Sequence, residues 1–428
     1  MRDALQEFMT FNRPDAKRNA ELIRFKIARM ADSPFAFFRG SFHLFARDAL
    51  DRTMLLLPIL TNDGIEMDLV GDIHNENYGT YKAADGLIHY DLNDFDETTR
   101  GRFDFDVCRL AVSTVLAAQE RKDSLEDQVA AVLAGLSSYL QAVQSSLKKG
   151  KFLDLDYFEK NPGPSDAIAQ LIKQKTMVKR SQFIADLTED KDGQRRIKRS
   201  LLKYFNLTDA DKSQAQRLLD DFHKRWKNPP DKKDFFNIHD ICGRIAGIGS
   251  MGRHRYVVLI SGKGHEEKHD ILLEFKEARP SAYDIYRNRE TSPQALLDRA
   301  EKVIACQRLS QAACSPYLGF AIDGEQSFQV REISPHADRV DCRSLKSSES
   351  FVDVIKVQAA ILARIHVRST TRVEGPSHPL PELDDPERFR QRVLAFALAY
   401  ADIVQRDWAR FVSARGDLEN TASWTVSG

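Results

Sequence analysis

Cysteine is scarce and unpatterned in this chain. The five cysteines (Cys108, Cys242, Cys306, Cys314, Cys342) are odd in number, scattered, and never form a Cys-x-x-Cys pair. That excludes a disulfide framework and points to a reducing compartment. His239 and Cys242 have half of a zinc-site spacing, and no second pair completes it. A surplus of charge is missing too: Lys plus Arg and Asp plus Glu each number 63. A balanced surface argues against broad affinity for nucleic acid or anionic membrane. No window of about 18 apolar residues occurs. The opening MRDALQEFMTFNRPDAKRNAELIRFKIARM is charged throughout and has no apolar signal core. These absences predict a cytoplasmic protein with neither a membrane nor a nucleic-acid partner. There is no internal repeat and no low-complexity tract.

What remains is a chain of 428 residues, long enough for two or three core units or for one enzyme with two lobes. Residues 15–50 read as helical, with a break at Asp32-Ser33-Pro34. MLLLPIL and IEMDLV flank the turn Thr61-Asn62-Asp63-Gly64, and YGTYK and LIHYDL flank Ala84-Asp85-Gly86, so two hairpins are expected. From Phe103 to about Phe236 the pattern is mostly helical. An apolar stripe starts at Leu110, Val112, Val115 and Leu116, and further helices are expected over Asp123 to Leu147 and Asp209 to Trp226. The charged stretch Lys179 to Arg199 reads as a solvated surface, with a basic ligand groove as the alternative. Strands are expected over 242–277, a helix over 293–313, strands again at YLGFAI and SFQVREI, and helices over 349–368 and 386–413, separated by the Pro-rich linker 375–386. The class is therefore α+β rather than a doubly wound sheet.

Chemistry concentrates first in VGDIHNENYG, residues 70–79. Asp72 and Asn77 stand five apart between Gly71 and Gly79, and a hairpin then delivers YDLNDFDET, in which Asp94 and Asp96 alternate with Phe95. Since a hairpin returns its ends to one place, Asp94 should come back to the loop holding Asp72 and Asn77. Hard oxygen donors such as Asn77, Asp94 and Asp96 suit Mg²⁺ or Mn²⁺ bound together with phosphate oxygens. Asp72 is then spared as a base toward a hydroxyl, with His74 beside it as the second candidate catalytic residue. The bland alternative is an ordinary loop, because Asp, Asn and Gly are common turn residues. Asp106, in GRFDFDVCRLAVS, either anchors this loop or simply places a negative charge at a helix N-terminus. Arg39, in FFRG, either contacts substrate or phosphate or pairs with an acidic neighbour.

A second concentration is GIGSMG, residues 247–252. A dinucleotide fingerprint needs a helix after the glycines, but HRYVVLIS is strand-like. Strand, glycine turn, strand, and then Lys276 in ILLEFKEA is the order that cradles a triphosphate instead. Gly247, Gly249, Ser250, Gly252 and Lys276 are the candidate nucleotide-binding residues. Kinases hold such a lysine with a Glu from the next helix, and by that resemblance Glu301, with Gln307 as the fallback, is the candidate partner that positions Lys276. GKGH at 262–265 is no Walker A motif, since neither Ser nor Thr follows its lysine, and reads as a hairpin turn.

The spacing of Asp72, Asn77 and Asp94 resembles that of kinases, in which a catalytic Asp precedes a metal-binding Asn by five residues and a hairpin leads to a metal-binding Asp before Phe. GDIHNEN and NDFDE are similar to the G-D-x-H-x-x-N and D-F-x-D segments of aminoglycoside phosphotransferase-like kinases. Calcineurin-like metallophosphoesterases also open with G-D-x-H, but the later motifs they need, G-D-x-x-D and G-N-H-[DE], are absent. RMADSPFAFFRG, GDIHNENYG, NDFDET, FDFDVCRLAVS, GIGSMGRHRYVVLI, LEFKEARPSA, Gln-Arg-x-x-Gln at 307–311, LARIHVRS and FALAYADIVQRDW together resemble the bacterial domain of unknown function 2252 family. That resemblance implies a protein-kinase-like fold using ATP and Mg²⁺ (or Mn²⁺), with an unknown acceptor.

The motif order implies circular permutation into a helical segment (1–50), a catalytic-loop and metal hairpin with helices (51–237), a small antiparallel nucleotide lobe (238–340), and a hinge with helices completing the helical lobe (341–428). The helix ending near Ser369 should then pack on the strand that opens the VGDIHNEN loop. Val70 stands where kinases have His. The expected activity is phosphotransfer to a small-molecule or protein hydroxyl. The alternatives are AMP transfer on the same fold, or a nucleotide-binding pseudokinase.

Overall fold

The computed structural model describes residues 2–51, 66–149, 155–191, 193–200, 203–226, 234–249, 251–264, 266–370 and 385–424. Asp3 caps α1 (Ala4–Arg18) and Asn19 caps α2 (Ala20–Ala31), each accepting from main-chain N–H groups of the first turn. Ser33 caps α3 (Pro34–Gly40), whose proline stands where an N–H would go unused; this is the break read at Asp32-Ser33-Pro34. α4 (Phe42–Leu50) follows.

The next elements are β1 (Glu66–Leu69), β2 (Tyr78–Lys82), β3 (Ile88–Leu92), β4 (Thr99–Arg102), α5 (Phe103–Glu120) and α6 (Leu125–Lys149). Then come β5 (Tyr157–Phe158), α7 (Asp166–Thr176), α8 (Arg180–Leu187), β6 (Thr188–Lys191), β7 (Gln194–Ile197), β8 (Tyr204–Phe205) and α9 (Asp209–Arg225). The remainder comprises β9 (Ile238–Arg244), β10 (Arg255–Ile260), β11 (Ile271–Glu277), α10 (Ala282–Tyr286), α11 (Pro293–Ser310), β12 (Gly319–Asp323), β13 (Gln326–Glu332), α12 (Ser348–Thr370), α13 (Pro386–Ser413) and α14 (Arg415–Glu419). The class is α+β, with small antiparallel sheets among many helices.

The largest sheet has six strands in the order β12-β13-β11-β10-β9-β8, every pair antiparallel. Strand alternation divides its side chains between two cores. Tyr256, Val258, Phe275 and Phe328 pack with Leu218, Leu219 and Phe222 of α9. Val257, Leu259 and Leu272 face the other way, onto Ile184 of α8 and Ile197 of β7. A third and larger core joins α1 to α6 with α12 and α13.

Several expectations change here. The stretch Lys179 to Arg199 is not simply a solvated surface: it folds into α8 and the β6–β7 hairpin, which bury Ile184 and Ile197 against the sheet. β8 adds a sixth strand to the expected five. β1 pairs with β4, from Leu69↔Thr99 to Glu66↔Arg102. The turn at Thr61–Gly64 and the strand before it lie outside the described residues, as does most of the linker 375–386. The second hairpin forms with Tyr78 opposite Leu92. The end of α12 packs on β1, where the Asp68 N–H donates to Ser369 Oγ at 2.7 Å.

Candidate active site

β1 ends at Leu69, and the chain turns at once. The N–H groups of Val70 and Gly71 both donate to the Asp106 carboxylate, at 2.8 and 3.0 Å. Asp106 is fully buried in the first turn of α5. Its Oδ2 also lies 3.2 Å from His366 Nε2 on α12, and His366 Nδ1 lies 2.8 Å from the Tyr139 hydroxyl. Asp106 is thus an anchor of the loop, and an imidazole reaches this corner from α12. Gly71 has φ +86°, and a Cβ there would strike the Glu97 carbonyl.

The anchored turn presents Asp72. Arg109 Nε and Nη2 both donate to Asp72 Oδ1, at 2.9 and 2.5 Å, while Nη2 also reaches the Phe38 carbonyl at 3.0 Å. Arg109 is completely buried, its guanidinium 3.8 Å from the Phe38 ring centroid and 4.7 and 5.0 Å from those of Phe42 and Phe45. Among the described residues Asp72 Oδ2 takes no hydrogen bond, and the residue lines the cleft. Burial raises the Asp72 pKa to about 6 against the opposing pull of Arg109. His74 is held neutral, its pKa well below the ordinary imidazole value because burial and the cations Arg39 and Arg109 disfavour a further charge. Asn77 Nδ2 donates to the Asp72 carbonyl, and among the described residues Asn77 Oδ1 has no donor.

The β2–β3 hairpin returns the chain to this point: the Asn93 N–H donates to the Asn77 carbonyl at 2.8 Å. Asp94 follows, half-exposed at the cleft, with Oδ1 3.9 Å from Lys276 Nζ. Enclosure by the cleft walls, then Asp96, raises the Asp94 pKa against the pull of Lys276. Asp96 pairs directly with Lys276. Burial would raise Asp96, but Lys276 and then Arg253 hold it well below the usual carboxylate range. Lys276 is itself lowered by burial, partly offset by Asp94 and Asp96.

The glycine turn is only partly as expected. Gly247 has φ +73° and lines the cleft with Ile248 and Gly249. A Cβ on Gly249 would lie 3.5 Å from the Arg39 carbonyl and 3.9 Å from Asp72 Oδ2, so this turn lies against the loop that carries Asp72. Gly252 does not join them: with φ +99° it turns onto Asp15 of α1. Ser250 lies outside the described residues. The structure does not bring Glu301 to Lys276. Glu301 is exposed on α11, and the carboxylate at Lys276 is Asp96, from the same loop as Asp94. Gln307 bonds to Gln311 at 3.2 Å instead.

Other groups escaped the sequence reading. Lys26, buried on α2, donates to Asn12 Oδ1 at 2.8 Å and to the Gly249 carbonyl at 3.3 Å, so the N-terminal helices brace the glycine turn. Burial lowers the Lys26 pKa to about 8. Arg253 donates to Glu97 at 3.0 Å, which ties the end of the turn to the Asp94 loop. Glu274, on the same strand as Lys276, is buried among Arg244, Arg255 and Arg331. The only sequence signal for Arg109 was its place three residues after Asp106, on the same side of α5.

These walls enclose a cleft of about 450 Å³, within the range of small-ligand sites. Among the described residues no group of three His, Cys, Asp or Glu side chains forms a metal cage. Asn77 Oδ1 and Asp94 are two oxygen donors on one wall, a set that fits Mg²⁺ when phosphate oxygens complete its shell.

A family model described as an uncharacterized protein conserved in bacteria (DUF2252) matches residues 18–414. No curated protein and no solved structure matches the chain.

Proposed function

We propose, for a chain that belongs to the DUF2252 family of bacterial proteins, ATP- and Mg²⁺-dependent phosphotransfer on a circularly permuted, two-lobed kinase-like fold. One observation carries the reading. Lys276, from the middle of the chain, stands 3.9 Å from Asp94 in the same cleft as Asp72, Asn77 and the Gly247–Gly249 turn. A cation on a strand, a glycine turn, two oxygen ligands and a buried base in one small space are the parts that phosphoryl transfer requires.

In this reading the Gly247–Gly249 backbone and Lys276 hold the triphosphate, and Lys276 exchanges Asp96 for phosphate oxygens. Asn77 Oδ1 and Asp94 would hold Mg²⁺ (or Mn²⁺), which neutralises charge on the phosphates when bound. Asp72 Oδ2 accepts the proton of the acceptor hydroxyl, whose oxygen bonds to the γ-phosphorus as ADP leaves. Arg109 fixes Oδ1 and so turns Oδ2 toward the reacting oxygen. Neutral His74 adds no charge that would compete for the base. Most of the catalysis is positioning and charge neutralisation.

The test joins melting to mass. Millimolar ATP with Mg²⁺ should raise the melting temperature; saturation to a hundred times Kd contributes about 2.7 kcal/mol. The acceptor should gain about 80 Da, the mass of a phosphoryl group, whereas AMP transfer would add about 329 Da. Asp72→Asn should keep the ATP-dependent shift and lose turnover. No shift at millimolar ATP, or full turnover by Asp72→Asn, removes the proposal. A shift without any turnover would leave a nucleotide-binding pseudokinase.

A further inference from the structure

On the catalytic-loop side of the cleft, two guanidinium groups share one carboxylate. Arg39 of α3 and Arg339, between β13 and α12, both reach Glu76 Oε2, at 2.6 and 2.9 Å. Glu76 is buried, its side chain 1% exposed. Arg343 meets the other oxygen at 3.0 Å but is also held by Asp341 and Glu120, at 3.0 and 3.3 Å. Among the described residues no other anion on this wall is free for Arg39 and Arg339. Asp72 is taken by Arg109, Asp338 is taken by Lys175, and His74, with Nε2 3.4 Å from Arg39 Nε, is neutral. Arg39 and Arg339 therefore carry one positive charge more than Glu76 balances.

That surplus faces the chemistry. Both arginines line the cleft with Asp72. The Arg39 carbonyl and Asp72 Oδ2 flank the same point on Gly249, 3.5 and 3.9 Å from where its Cβ would be. Arg39 is mostly buried and so held in place, whereas half of the Arg339 side chain meets solvent and can turn toward a ligand. Guanidinium forks match planar carboxylates and phosphates, and a partly desolvated pair binds such groups far better than water-exposed lysines do.

We infer that the acceptor is an anionic hydroxy compound whose carboxylate or phosphate is bound by Arg39 and Arg339 while its hydroxyl meets Asp72. The inference rests on the phosphotransferase reading and names the substrate class for the same site. The anion takes up the surplus charge beside Glu76. The hydroxyl loses its proton to Asp72, its oxygen bonds to the γ-phosphorus, and the bond to the bridging oxygen of ADP breaks.

Calorimetry on the full chain, saturated with Mg²⁺ and a non-hydrolysable ATP analogue, tests this with inorganic phosphate and acetate as separate probes. At least one should still bind the loaded protein, and which one binds tells phosphate recognition from carboxylate recognition. Arg339→Gln, at a half-exposed side chain, should weaken that binding tenfold or more and leave analogue affinity unchanged. Arg39→Gln should do the same if it folds. Failure of both anions to bind the loaded protein, or binding to Arg339→Gln as tight as to the parent, overturns the inference. Should the analogue itself not bind, the phosphotransferase reading fails separately, and titration of both anions into nucleotide-free parent and Arg339→Gln protein decides the arginine site on the same criterion.

Discussion

Asp72 is where pH should act. Its carboxyl titrates near pH 6 because burial outweighs the help of Arg109. A base must be ionised to work, so kcat/KM should be lost as pH falls through about 6 and level off above it. A rate flat from pH 5 to 8 would take Asp72 out of the proton path. Arg109→Met removes the cation that favours the ionised form, so the limb should move up by about one unit or more. The same change strands a carboxylate beside a buried cavity and should cost about 3–5 kcal/mol in denaturant melts. An unmoved limb in a folded Arg109→Met protein would make the pair merely structural. That Asp72, Asn77 and Asp94 meet at one cleft was legible because their placement follows from spacing along the chain and one hairpin. Arg109 and Lys26 were not, since what they touch is decided by α5 and α2 docking beside loops distant in sequence. The Glu301 expectation failed for a local reason. The carboxylate it was to supply already stands two residues after Asp94, in the run Asp-Phe-Asp.

At the scale of elements, the glycine turn separates two kinds of glycine. A methyl at Gly249 meets only ordinary contacts, the nearest 3.5 Å away. Gly249→Ala should therefore fold normally and, if the proposed phosphotransferase reading holds, weaken ATP binding, because in that reading the methyl stands between the backbone and the phosphates. Gly252→Ala forces an alanine to φ +99° and sets its methyl 2.6 Å from Asp15 Cβ. It should cost about 1–3 kcal/mol of stability through strain before any effect on nucleotide. Equal melting temperatures for the two variants would show that the turn is not seated against α1 as described. Long elements such as α12 and α13 were legible from their 3.6-residue apolar repeat, and β10 and β11 from their short apolar runs. β5 and β8 were not, since each is two residues long and exists only because a neighbouring strand offers an edge. The Lys179–Arg199 stretch misled for a similar reason. Its many charges dominate the composition, yet Ile184 and Ile197 alone suffice to seat it on the sheet.

For the whole molecule, the order of parts in the chain and their order in space are different things. Along the chain Asp72 comes first, then the Asp94 loop, the Gly247–Gly249 turn and Lys276, yet all four face one cleft. What allows this is where the segments meet. Ser369 Oγ at the end of α12 accepts from the Asp68 N–H of β1, the strand that leads into the Asp72 loop, at 2.7 Å. Far from that joint, Trp424 lies edge-on to Phe8 of α1, their rings 6.0 Å apart. Residues near 4 and 424 are thus close enough for a short flexible linker to join, and backbone cuts are tolerated between packed elements. A permuted protein joined there and opened between Trp226 and Asp234 would place the glycine turn and Lys276 ahead of Asp72, Asn77 and Asp94. If the cleft depends on packing rather than on chain order, that protein should fold with a loss of about 1–2 kcal/mol, chiefly from loop closure. It should also keep the Mg²⁺–ATP shift in melting temperature. A soluble, cooperatively melting permutant that no longer responds to Mg²⁺–ATP, beside a parent that does, would mean that the cleft depends on chain order as well as on packing.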